Sequence, residues 1–314
     1  MTVVVIGESL FDIVVRDGVE IGATPGGSPM NVAVGLARLG HDVHLATQFG
    51  DDAYGSAIAG YLAKEALVYT NEVTDQTSRA TATLTDNGAA DYDFDITWDL
   101  QLQTPGIRAA LETAGLVHTG SLGAHHQPGS TQVFREVAAR SGSAVVSYDP
   151  NCRPSILPDR ARFRKEVEEF IRISDVVKAS EEDLAWLYPD AELADVMAAW
   201  VKGGPGLVVV TCGGKPALAA RTPKEIREVA TVPVGVEDTI GAGDSFMAAL
   251  LSGLVKAGVS GPHGRETLDS LSMADVDEVL RVAAIAASIT CSRRGANPPN
   301  SDELQAALRE GSGW

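Results

Sequence analysis

Asp238-Thr239-Ile240-Gly241-Ala242-Gly243-Asp244-Ser245-Phe246 is the stretch from which the rest of the chain is read. Two glycines flank an alanine, an aspartate follows at once, and the apolar run Phe246-Met247-Ala248-Ala249-Leu250-Leu251 continues from it. This order predicts a tight glycine turn feeding a helix, with Asp244 in its first turn. The first N–H groups of a helix lack intrahelical partners, and the dipole there favours negative charge. Glycines let main-chain N–H groups approach an anion closely. The stretch therefore offers an anion cradle and a carboxylate in one turn, and transfer of a phosphoryl group to a hydroxyl needs both. Taken alone, a helix start with an acidic first turn and no ligand explains it equally well.

Outward from that turn the chain alternates strands and helices. On the N-terminal side, Val3–Ile6 is a continuous apolar run ending at Gly7, as in a buried strand of a parallel sheet. A glycine- and proline-rich loop spans 22–29. Ser28-Pro29 then reads as the N-cap and first position of a helix that stops at Gly40. Further strands are expected at 43–49, 116–120, 144–148, around 176–177, at 207–212 and at 229–236. Further helices are expected at 52–66, 128–140, 158–173, from a Ser180 cap onward, and at 195–202. Beyond the motif, 256–272 reads as a long loop, 274–292 as a helix, and Ser301 as the cap of a last helix. Residues 68–98 differ. Thr77–Thr85 is rich in β-formers, Asp86-Asn87-Gly88 is a turn signal, and Tyr92–Ile96 alternates apolar and acidic residues. The whole predicts one α/β domain over 1–314, a mostly parallel sheet covered on both faces, with a small β-sheet lid from about 10–24 and 68–98. Ligands of such sheets sit at the carboxyl ends of the strands. Asp12, Gly120, Asn151, Ser180 and Gly213 all fall just after strands.

Composition bounds the function. The chain has 314 residues, 45% hydrophobic and 21% charged, with net charge −17. No Lys/Arg cluster offers a nucleic-acid footprint. Three widely spaced cysteines, Cys152, Cys212 and Cys291, form neither a disulfide framework nor a zinc site. Reduced thiols and an N-terminus without signal-peptide character predict a cytoplasmic protein, and no apolar run is long enough for a membrane span. His125-His126 is not a metal pair, since adjacent side chains point apart.

With these pieces in order the chain resembles the ribokinase-type carbohydrate kinases, the phosphofructokinase-B superfamily. The resemblance rests on residues 26–33 (Gly-Gly-Ser-Pro-Met-Asn-Val-Ala), on Asp149-Pro150-Asn151-Cys152-Arg153, and on 238–246. It implies a ribokinase-like three-layer sandwich, ATP and Mg²⁺ as co-substrate and metal, and a sugar acceptor. It also implies roles. Asp244 matches the catalytic base, and Gly241, Ala242 and Gly243 the anion hole. Asp12, Gly27 and Asn31 match sugar-contacting positions. Arg153, close to Asn151, matches an arginine near phosphate or substrate. Ser180 and Asp183 stand where the family has Asn and Glu, which position Mg²⁺ through water; the side chains here are shorter and shorten that contact. Thr211 and Gly213 match the nucleotide rim, and Ala287, Cys291 and Asn297 the adenine cup. Asp238 and the carbonyl of Ile240 resemble a monovalent-cation (K⁺) site of some members. The resemblance also implies a homodimer paired through the lid.

Five aspartates (86, 91, 93, 95 and 99) lie between 86 and 100 with no Lys or Arg, so an acidic sugar would meet like charge there. A neutral sugar is therefore preferred, with Tyr92 and Phe94 closing over it. Asp149–Arg153 and Lys178-Ala179-Ser180-Glu181-Glu182-Asp183-Leu184 look most like fructokinases. Ketodeoxygluconate kinase, ribokinase and nucleoside kinase remain alternatives, as does a non-catalytic sugar-binding regulator of the same fold. A dehydrogenase is disfavoured, because no Gly-x-Gly-x-x-Gly follows the first strand.

Overall fold

The computed structural model describes residues 1–84 and 90–310. In chain order these form β1 (Thr2–Ile6), β2 (Leu10–Arg16), β3 (Val19–Gly26), α1 (Ser28–Arg38), β4 (Asp42–Thr47), α2 (Ala53–Leu62), β5 (Val68–Asn71), β6 (Arg79–Leu84) and β7 (Ala90–Asp95). Then come α3 (Pro105–Thr113), β8 (Ala114–Gly120), α4 (Ser121–His125), α5 (Gly129–Arg140), β9 (Val145–Asp149), α6 (Arg160–Ile173), β10 (Val176–Ser180), α7 (Glu181–Leu187) and α8 (Leu193–Gly203). The chain closes with β11 (Leu207–Cys212), β12 (Lys215–Thr222), β13 (Glu225–Val229), α9 (Ala242–Lys256), α10 (Gly264–Ser270), α11 (Met273–Cys291) and α12 (Ser301–Glu310).

Among the described residues the large sheet runs β13-β12-β11-β10-β9-β8-β1-β4-β5. It is parallel from β5 to β11, and β12 and β13 add an antiparallel edge. The buried strands are near-continuous Val/Leu runs because both their faces are covered. In β1, Val3 and Val5 enter one core and Val4 and Ile6 the other. The first core is closed by α1, α2, α9, α11 and α12, the second by α3 and α5–α8. The fold is the three-layer, ribokinase-like sandwich that the sequence resembles. No described helix is long and apolar enough to cross a membrane.

The small sheet runs β3-β2-β6-β7, with β2 and β6 parallel and the other pairs antiparallel. It differs from expectation in two ways. Residues 22–26, read as loop, complete β3, while Val68–Asn71, read as lid, pairs with β4 at the edge of the large sheet. The Asp86-Asn87-Gly88 turn lies outside the described residues. Three other expectations are corrected. Residues 230–236 are not a strand; β12 and β13 precede them instead. The supposed loop 256–272 contains α10. The last helix is capped by Asn300, whose Oδ1 accepts the Glu303 N–H at 2.9 Å.

Candidate active site

Gly241 precedes α9 with φ 74°. In that left-handed region a side chain is disfavoured, and a Cβ would also meet Ala296 at 2.6 Å. The turn is thus reserved for glycine, and Gly241, Ala242 and Gly243 line the cleft, with the Ala242 N–H donating back to the Thr239 carbonyl at 3.2 Å. Asp244 lies in the first turn of α9.

Helix packing delivers its partners. A Cβ on Gly35 of α1 would stand 2.6 Å from the Ala248 methyl of α9, so the two helices approach closely there. One turn earlier on each helix, on the same face, Asn31 meets Asp244. Its Nδ2 donates to Oδ2 at 2.8 Å. Ser28 Oγ donates to Oδ1 at 2.6 Å. This corrects the reading of Ser28 as a helix cap. Gly27 takes the cap position with φ 113° and no side-chain cap bond, and the hydroxyl is free to orient Asp244.

Asp244 stands in the wall of a cleft of about 1000 Å³ along the carboxyl ends of the strands. One end, under the small sheet, is lined by Asp12, Gly27, Asn31, Phe94, Asn151 and Arg153. The other is lined by Thr211, Gly213, Val232, Ala287 and Cys291. Asn151 (φ 38°) and Ser121 (φ 54°) hold left-handed conformations at the ends of β9 and β8, and Asn151 Nδ2 donates to Ser121 Oγ at 3.4 Å. Burial pushes the Asp12 carboxyl up to about 6; the Arg153 guanidinium opposes the rise and Asp244 adds to it.

The model for the pfkB family of carbohydrate kinases matches residues 1–303. The chain belongs to that family. A fructokinase of Klebsiella pneumoniae is 28% identical over 313 residues, 97% of this chain and 98% of the relative. The structure of fructokinase from Xylella fastidiosa with bound ATP superposes with a TM-score of 0.87 at 25% identity, covering 99% of both chains. A double-mutant fructokinase of Vibrio cholerae, in a form with fructose, ADP and potassium bound, gives 0.78 at 25% identity, covering 98% of this chain and 97% of that one. The chain is a sugar kinase of this ATP-dependent carbohydrate-kinase family.

In this kinase, not every expected residue reaches the cleft. Asn297 is exposed, and its Oδ1 accepts from Arg38 at 2.7 Å, away from the cleft lining. Asp238 accepts the N–H of Ile240 at 3.0 Å and of Gly295 at 2.8 Å, tying the motif loop to the segment after α11. Asp183 is buried. Its Oδ1 accepts the Cys152 N–H at 2.7 Å, and its Oδ2 accepts both the N–H and Oγ of Ser180 at 2.8 Å. Ser180 caps α7 in return, in a reciprocal capping box. Of the two lid aromatics Phe94 lines the cleft, while the Tyr92 side chain lies outside the described residues. Asp93 and Asp95 flank Phe94 and therefore face the other way; both are exposed, and Asp95 is bridged to Arg79. Asp99 accepts from Gln48 outside the lid. The aspartates that argued against an acidic sugar are thus not in the cleft wall where their positions are described.

A nucleotide fits the far end of the cleft. Gly213 has φ 59° and open space where a Cβ would stand. Val232, Ala287 and Cys291 supply an apolar wall, and the α9 turn lines the same cleft.

Three residues escaped the sequence reading. Glu8 is buried, and its Oε2 accepts the Gly123 N–H at 2.7 Å. Burial pushes it up to about 7 against the pull of Ser121, backbone N–H groups and Arg153. Ser28 was hidden by its resemblance to a cap. Lys178 is buried in β10 with Nζ 2.7 Å from Asp149 Oδ2. Burial disfavours its ammonium, but the Asp149, Asp244 and Asp183 carboxylates outweigh that and keep it protonated. The signal was present: a lysine inside Val176-Val177-Lys178-Ala179, an otherwise apolar strand, is rarely buried without a partner.

Proposed function

We propose that this kinase transfers the γ-phosphoryl group of ATP to a primary hydroxyl of a neutral sugar, with fructose as the acceptor. The observation that carries the reading is the Asp244 carboxylate, bonded to Ser28 and Asn31, at the glycine turn that opens α9 and inside the shared cleft. Fructose is favoured by relatives that are themselves named fructokinases.

In this mechanism Asp12, Gly27, Asn31 and Asn151 hold the sugar under the small sheet, with Phe94 against its apolar face. Asp244 accepts the proton of the attacking hydroxyl. The N–H groups of Gly241, Ala242 and Gly243 stabilise the equatorial oxygens of the transferring group, and Arg153 adds positive charge. Thr211, Gly213, Ala287 and Cys291 hold the nucleotide. Asp183 accepts three hydrogen bonds, so a water-mediated rather than a direct contact to Mg²⁺ fits its remaining lone-pair capacity. Mg²⁺ held there supplies charge neutralisation on the β- and γ-phosphates. Asp238 and the Ile240 carbonyl are the candidate K⁺ ligands. Two copies pair through the small sheet, whose β3 edge exposes Val19 and Ile21; light scattering tests that pairing.

A coupled ATP-turnover screen over fructose, ribose, 2-keto-3-deoxygluconate and nucleosides tests the acceptor. Fructose should give the highest kcat/KM. The second reading, an acidic keto sugar, is kept because Arg153 stands at the sugar end and the lid aspartates 93 and 95 face away. Ketodeoxygluconate active and fructose inactive would establish that second reading and end the first.

A further inference from the structure

Lys178 raises a question that ion pairing with Asp149 does not answer. In β10 the side chains of Val176 and Lys178 project to the face that carries α9, whereas Val177 and Ala179 enter the opposite core. A Cβ built on Gly243 would stand 3.1 Å from Lys178 Nζ, so the ammonium lies against the first turn of α9, and it contributes to the cleft wall. That is the unfavourable end of a helix for a cation, because the dipole there is already positive. A buried ammonium has three N–H donors, and among the described residues its one hydrogen bond goes to Asp149. A buried cation facing a positive helix end becomes favourable when an anion lies between them.

We propose that Lys178 is a catalytic residue, donating an Nζ–H to an equatorial oxygen of the phosphoryl group in transit at Gly241–Gly243. This rests on the reading that the phosphoryl group crosses beside Asp244. The bond between the sugar oxygen and the γ-phosphorus forms, and the bond from that phosphorus to the β–γ bridging oxygen breaks. The electron pair leaves with ADP, and the sugar proton goes to Asp244. Lys178 keeps its proton and stabilises charge alone, while Asp149 fixes the ammonium in place.

The test compares Lys178→Met with the double variant Lys178→Met/Asp149→Asn, in which the uncompensated buried carboxylate is neutralised. Loss of one partner of a buried pair is destabilising, whereas neutralising both is far less so. Melting temperature, ADP binding, kcat and the KM of the sugar are measured for each. A catalytic Lys178 lowers kcat by about 10²–10³-fold, as for loss of one donor to the reacting oxygen. The sugar KM stays within roughly threefold, as expected for an interaction made only in the transition state. The double variant recovers the melting temperature and ADP binding, yet stays slow. Recovery of kcat in the double variant to near the wild-type value makes Lys178 a structural counter-ion and overturns the proposal. So does failure of both variants to fold. Wild-type protein that turns over no sugar defeats the kinase reading itself; wild-type turnover with an unimpaired Lys178→Met defeats the role of Lys178 alone.

Discussion

At the scale of single residues, the site is a set of carboxylates sorted by their surroundings. Asp244 is held by two side-chain donors, from Ser28 and Asn31. Glu8 is buried and lifted to about 7 from the usual 4.5. A carboxyl whose value is raised by folding binds its proton more tightly in the folded state. Its contribution to stability is full below 4.5 and is lost as pH rises through 7. Glu8→Gln should therefore stabilise the protein at pH 8 by about 1–3 kcal/mol and change it little at pH 4.5. Denaturant titrations at the two pH values check this; an equal effect at both contradicts the burial argument. Asp244 and the glycines around it were legible as a candidate site because residue type and spacing state their chemistry, whereas Asn31 was reached only through the family resemblance. Glu8 was not, and Lys178 only as a lysine out of place in an apolar strand, because their partners Gly123 and Asp149 come from elements that are neighbours only in space.

At the scale of elements, the contact of α1 with α9 places Asn31 on Asp244. That geometry depends on Gly35 beside Ala248. Gly35→Ala should push the helices apart, cost about 1–3 kcal/mol as overpacking does, and lower kcat more than a distant substitution of equal cost. A chemical melt alongside turnover checks both parts, and an unaltered kcat would show that α1 need not sit so close. The buried parallel strands were legible as apolar runs, and Leu207–Cys212 agrees to the residue. β12 and β13 were not, since their partly exposed faces break the apolar pattern. The lid was half legible. The alternation around Phe94 was read as acidic, while the register shows Asp93 and Asp95 on the face away from the cleft. Sequence spacing gives alternation; only the other strands say which face is inside.

At the scale of the whole molecule, two sheets share one cleft, and a net charge of −17 surrounds it. A polyanionic nucleotide approaches against that field. Raising ionic strength from about 10 to 150 mM at constant Mg²⁺ should lower the KM of ATP, because the Debye length shrinks from roughly 30 to 8 Å. Steady-state kinetics across a salt series read this, and a KM that rises with salt would mean that local cations dominate approach. The layered fold was legible as a whole because three motifs stand in the right order along the chain. The meeting of Ser28, Asn31, Lys178 and Asp244 was not, because it requires α1, β10 and α9 to be assembled. That meeting is the centre of the account, and single-turnover phosphoryl transfer by Asp244→Asn tests it most directly. The expected rate is about 10²–10⁴-fold below wild type, with sugar and ADP binding and the melting temperature preserved. A transfer rate near that of wild type would contradict it.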